Sequence, residues 1–145
     1  MKKNVLIKVN DTQTTEDGSE SIEVTTHGYV MYGAGDIIAI CYDECFDEEN
    51  TCHTKVTVKS GSSVSVMRTG AYNSNLYIDR GKRQNCFYST PYGEYMIGIF
   101  GKEVNSDFKD GTGRLKMKYT IDYYGGFAAE NEMTITVAAD GGKEE

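Results

Sequence analysis

The chain contains no tryptophan, one proline and two histidines among its 145 residues. With only His27 and His53 to serve as a base, the sequence offers no recognisable frame for a serine or cysteine nucleophile. Long apolar runs are missing too: Val5-Leu6-Ile7 is closed off by Lys8, far short of a membrane span or a signal peptide. The expected location is therefore the cytoplasm. Positive charge is scarce, with 15 Lys and Arg against 22 Asp and Glu, a formal net charge of -7 and a pI near 4.9. A chain of that sign repels phosphate backbones and anionic lipid, and its densest basic spots, Lys2-Lys3 and residues 80–83, are small. Neither nucleic acid nor a membrane is an expected partner.

Four cysteines, Cys41, Cys45, Cys52 and Cys86, come without an export signal and are expected as free thiols. Cys41, Cys45, Cys52 and His53 miss the paired two-residue spacing of zinc knuckles and ribbons. The acidic run Asp43, Glu44, Asp47, Glu48, Glu49 lacks the alternating oxygen ligands and central glycine of a calcium loop, and reads as a solvated loop. Gly33-Ala34-Gly35 has neither the third glycine nor the following helix of a dinucleotide fingerprint, so it reads as a turn. No metal and no cofactor is implied.

Helical periodicity is the remaining absence: no segment beyond about ten residues repeats apolar positions at helical spacing. In its place apolar residues recur at every second position. Over residues 114–122 Leu115, Met117, Tyr119 and Ile121 alternate with Arg114, Lys116, Lys118, Thr120 and Asp122. Side chains of an extended strand point to opposite faces with period two, so one face lies in a core and the other in water.

Similar strands are expected over residues 3–10, 21–27, 29–32, 36–44, 54–59, 63–69 and 83–90, around Leu76 and Ile78, and through Tyr95, Ile97 and Ile99 and through Met133, Ile135 and Val137. In the second of these Ile22, Val24 and Thr26 face inward, after a polar stretch over residues 11–20. Residues 36–44 are apolar on both faces, as in a strand covered on its outside. Gly28 permits a bend, and Gly98 and Gly101 mark a bulge or close packing. Thr90-Pro91-Tyr92-Gly93 forms a turn with the lone proline at its second position.

About ten strands at this spacing predict an all-β fold, a single antiparallel up-and-down barrel whose closure removes aggregation-prone edges. Residues 1–138 are expected to form one domain and residues 139–145 a polar tail. The interior of an eight-stranded barrel is filled by side chains or holds one small ligand.

Arg68 is the residue that parity singles out. Val64 and Val66 share its face, so inward valines carry the guanidinium inward with them. A buried guanidinium stays charged and needs a carboxylate or several carbonyls. The same parity places Glu44 with Ile38, Ile40 and Tyr42, within reach across the barrel, with Tyr42, Tyr88 and Tyr119 as candidate hydroxyl neighbours. Three readings stay open: an end-of-barrel arginine whose head reaches water, a structural buried pair, or an anchor for an anionic ligand. Eleven tyrosines also serve either as packing or as a clamp on a ring-bearing ligand.

Met67-Arg68-Thr69-Gly70, Leu76, Gly81 and Tyr88-Ser89-Thr90-Pro91-Tyr92-Gly93 resemble the YwiB-like family of small bacterial proteins of unknown function. Thr26-His27-Gly28-Tyr29, Tyr42-Asp43-Glu44, Gly113-Arg114-Leu115 with Tyr119, and Met133-Thr134-Ile135-Thr136-Val137 extend the likeness along almost the whole chain. The resemblance implies a lipocalin-like (calycin-type) β-barrel and no assigned activity. The cysteine-containing loop of residues 41–52 departs from the family pattern, which argues against a family-wide role for its thiols.

The leading functional expectation is a cytoplasmic barrel that binds a small hydrophobic, aromatic or anionic molecule, with Arg68, Glu44, Tyr42, Tyr88 and Tyr119 as its site. A second is a decarboxylase-like enzyme in which Arg68 holds a carboxylate, Tyr42 or Tyr88 orients it, and Glu44 acts as general acid. A third is a filled barrel that works through its outer surface, and a homodimer is compatible with each.

Overall fold

A computed structural model describes residues 2–32, 37–45, 48–59, 62–71, 73–90, 93–123 and 126–140. Among them ten strands follow in sequence: β1 (Lys2–Thr15), β2 (Gly18–Tyr32), β3 (Ile38–Cys45), β4 (Thr51–Lys59), β5 (Ser63–Gly70), β6 (Ser74–Asp79), β7 (Arg83–Thr90), β8 (Gly93–Lys109), β9 (Thr112–Tyr123) and β10 (Gly126–Ala139). Each pairs antiparallel with the next, and β10 returns to β1 with Val5 opposite Ala139 and Thr14 opposite Glu130, so the sheet closes into a barrel. The expected turns at residues 33–36, 60–61, 91–92 and 124–125, and the last five residues of the tail, lie outside the described residues, as do Phe46 and Asp47.

Cross-strand register sorts the interior into layers. Ile38, Val58, Val64 and Ile78 lie opposite one another in the deepest layer, and Ile40, Val56, Val66 and Leu76 in the next. Ile7, Ile40, Val56, Ile78, Ile99, Leu115 and Ile135 have no accessible surface, so none borders a space large enough for a water molecule. This end of the barrel is filled by β-branched and aliphatic side chains, the residues that suit a pleated half-buried surface.

One step further along each strand the chemistry changes. Gly28, Tyr42, Thr54, Arg68, Ser74, Tyr88 and Tyr95 face one another in a continuous row across seven strands. The row forms a polar belt at the mouth of the barrel. Gly28 has no alternative within it, because a Cβ there would lie 2.2 Å from the carbonyl oxygen of Cys41 and 2.7 Å from Ile7.

The first strand, expected to end at Asn10, runs on through the polar stretch of residues 11–20, which forms the far half of the β1–β2 hairpin, turned by Glu16 and Asp17. Polar residues on both faces hid it; pairing of Asp11 with Met133 and Thr14 with Glu130 sustains it. Gly28 does not interrupt β2. Ile22 and Val24, expected inward, are 64% and 43% exposed, because this part of the hairpin stands beyond the wall formed with β3. The expected irregularity in β8 appears as a bulge between Gly101 and Glu103, and Gly98 makes room for the guanidinium of Arg83.

Candidate functional site

Strand parity delivers Arg68 and Glu44 to the same face from β5 and β3, on either side of β4. Arg68 Nε donates to Glu44 Oε1 at 2.9 Å, and Thr54 Oγ1 donates to the same oxygen at 2.5 Å. Their side chains are 18% and 27% exposed, so the pair sits at the mouth rather than in the sealed interior. Among the described residues no other hydrogen bond is made by this guanidinium, whose two terminal nitrogens carry four further N–H donors.

Across the mouth Asp11 of β1 accepts from Asn131 Nδ2 at 3.2 Å, and Gln13 Nε2 donates to Asn131 Oδ1 at 3.2 Å. Burial raises the pKa of Asp11 above the ordinary carboxylate value, and Glu44 adds to the rise against the opposing pull of Asn131 and Arg68. Burial works against the charge of Arg68, but Glu44, with smaller help from Tyr42 and Tyr88, outweighs it and raises that pKa. Tyr42 and Tyr119 are both buried, and desolvation followed by the nearby carboxylates Glu44 and Asp11 pushes their phenols far above the usual value. Both remain hydroxyl donors throughout the neutral range.

Arg68, Glu44, Tyr42, Tyr88 and Tyr119 are thus brought into one electrostatic neighbourhood. Asp11, Thr54 and Asn131 join them and were not foreseen. Continuing the parity of Val5, Ile7 and Val9 by one step reaches Asp11, and stepping from Ile135 and Met133 reaches Asn131; the assumed end of the first strand at Asn10 concealed the signal.

A concavity of about 370 Å³ lies on the outer face of β2–β5 and is lined by His27, Tyr29, Cys41, Asp43, His53 and Lys55, among others. Cys41 is a short side chain on β3, flanked there by the longer Tyr29 on β2 and Lys55 on β4. Cys41 and Ala39 are accordingly buried although they face outward, which accounts for the two apolar faces of residues 36–44. His53 Nδ1 lies 2.6 Å from Asp43 and His27 Nδ1 3.2 Å from Asp140. Cys52 points inward and His53 outward, so the neighbours form no dyad. None of the four cysteines is in a disulfide, and among the described residues no three His, Cys, Asp or Glu side chains converge as metal ligands. Among the described residues no helix is long and apolar enough to cross a membrane.

Fold and mouth together define a class: a closed β-meander, aliphatic at one end, with a charged and tyrosine-lined opening at the other. The family described as a domain of unknown function (DUF1934) matches residues 7–135, and the chain belongs to that family. It is similar to the uncharacterized beta-barrel protein YwiB of Bacillus subtilis (strain 168), 27% identical over 145 aligned residues that cover 98% of either protein. The crystal structure of the ywiB protein from Bacillus subtilis has the same fold, with a TM-score of 0.83 at 24% identity over 95% of this chain and 92% of that one. The likeness read from the motifs is thereby established along the chain.

Proposed function

We propose that the protein binds a small organic acid at the mouth of its barrel, a lipocalin-like role with a shallow seat. Arg68 takes the carboxylate, and the rings of Tyr42, Tyr88 and Tyr119 take the apolar remainder. The observation that carries this reading is that, among the described residues, Arg68 is anchored through Nε alone, which holds the planar fork of terminal N–H donors in place without occupying it. A fork already fixed loses little freedom when an anion docks. Protonated phenols beside it add hydroxyl donors and rigid amphipathic surface. Barrel mouths are common seats for small ligands, and the filled aliphatic layers beneath favour a ligand lying across the opening. Free thiols and the short apolar runs support a cytoplasmic setting.

Glu44 beside Arg68, with two buried phenols nearby, favours a second reading: decarboxylation of an aromatic acid, in which the acid loses carbon dioxide and Glu44 supplies the proton that replaces it. Thermal melts with benzoate, 4-hydroxycinnamate and decanoate test both. Binding raises Tm progressively with ligand concentration, Arg68→Ala abolishes the rise, and the uncharged benzyl alcohol produces none. An equal rise in Arg68→Ala, or no rise with any acid, sinks the binding reading. Loss of 4-hydroxycinnamate with release of carbon dioxide moves the assignment to the enzyme.

A further inference from the structure

Among the described residues the β1–β2 hairpin leaves one strand edge without a neighbour. β2 pairs with β1 from Gly18 to Met31 but with β3 only over residues 28–32. Residues 18–25 are all exposed. Thr12 and Thr14 of β1 bring their hydroxyls within 2.9 Å of Ser21 and Ser19. Such close side chains mark the non-hydrogen-bonded pairs of an antiparallel ladder. The even-numbered residues of this stretch therefore direct N–H and C=O to β1, and Ser19, Ser21, Glu23 and Thr25 direct theirs into the open.

Exposed edges are normally blunted by proline, lysine or a bulge. Residues 18–27 contain none of these, and Lys8 neutralises Glu23 at 2.7 Å. Ile22 and Val24 stand exposed on one face of the same stretch. We propose that this edge joins two copies of the chain, β2 pairing antiparallel with β2 of the second copy about a two-fold axis at Ile22.

Self-complementarity selects that occupant. An axis at Ile22 sets Ser21 opposite Glu23 and Ser19 opposite Thr25, so the residues with open N–H and C=O groups meet one another. Glu20 meets Val24, Ile22 meets its own mate, and no glutamate faces a glutamate. Moving the axis to Glu23 would oppose the two Glu23 carboxylates, which is unfavourable across a strand pair. With the axis at Ile22, the isoleucines and valines of both copies form one apolar strip, an isologous contact of the kind that closes as a dimer. The second strand also covers the gap beside Asp43, Glu44 and Cys45, which pair with β4 but not with β2.

Light scattering after size exclusion, in reducing buffer because Cys45 is exposed, reads the assembly directly. The expected mass is twice the 16.1 kDa of one chain. Added salt strengthens the dimer by screening two like-charged copies. Ile22→Lys places two ammonium groups at the axis and yields monomers with an unchanged circular dichroism spectrum. Ser21→Pro removes an outward N–H without touching the β1 ladder and does the same. Hydrogen exchange in the wild type shows slow amides at Ser19, Ser21, Glu23 and Thr25, which become fast in Ile22→Lys while their even-numbered neighbours stay slow. A monomeric wild type, a dimer that survives Ile22→Lys, or fast exchange at all four odd-numbered amides of the dimer overturns the proposal. So does a wild type that stays monomeric and takes an extended peptide on this edge.

Discussion

Glu44 Oε1 and Arg68 Nε meet at 2.9 Å from strands that are not paired with each other, with Thr54 on the strand between them donating to the same oxygen. Removing Arg68 leaves a partly buried carboxylate short of its counter-charge. Because the pair is partly solvated, the expected loss for Arg68→Ala is about 1–3 kcal/mol, below the cost of breaking a fully buried pair. Urea unfolding of Arg68→Ala, Glu44→Ala and the double variant checks this, and the double variant should lose less than the sum of the singles by about 1 kcal/mol. Strict additivity would show the two groups to be energetically independent.

Asp11 gives a dependence of the opposite sign to that of a salt-bridged acid. A carboxyl whose folded-state pKa lies above its unfolded value stabilises the fold below the unfolded pKa, and that contribution is lost as pH rises through the folded value. Asp11→Asn keeps an acceptor for Asn131 and removes the buried charge. Its Tm should exceed that of the wild type at neutral pH, with the difference closing in acid. A variant less stable than the wild type at neutral pH contradicts the assigned cause, which is desolvation.

Ligand binding is coupled to the same group. An organic anion on Arg68 raises the pKa of Asp11 further, so binding takes up a proton and tightens as pH falls toward the raised pKa of Asp11. Calorimetry in two buffers of different ionisation heat measures the proton directly. Asp11→Asn should flatten the dependence, whereas a wild type whose binding tightens no more than that of Asp11→Asn on acidification would remove Asp11 from the site.

Two glycines make contrasting demands. Gly28→Ala drives a methyl group against the Cys41 carbonyl oxygen, a backbone atom that cannot swing aside, and should cost about 1–3 kcal/mol by overpacking while displacing Tyr42 from the belt. Gly18→Ala meets nothing in space but must hold a φ of +123°, and should cost roughly 1 kcal/mol through the backbone alone. Comparing their urea midpoints, and their retention of any Arg68-dependent ligand, separates loss of stability from damage to the mouth.

Parity was sufficient to place Arg68 beside Glu44, because period two is enforced by the pleat and the flanking valines and isoleucines name the inward face. It was insufficient for Asp11, where residues 11–20 are polar on both sides and strand formation depends on β10, more than a hundred residues away in the chain. Ile22 and Val24 expose a different limit. Alternation reveals which side of a strand a residue takes, but not where along that strand the opposing wall ends. The outer concavity left a weak trace in the small size of Cys41, legible only once its longer neighbours on adjacent strands are known.

Closure by β1 against β10 has a consequence for how the molecule is made. β1 cannot find its second neighbour until β10 has been made, so one seam of the cylinder stays unzipped while every strand between them is synthesised. Assembly is therefore governed by the most distant pairing in the chain, which marks this architecture as a slow folder and makes the nascent N-terminal hairpin the segment most in need of a chaperone's shelter.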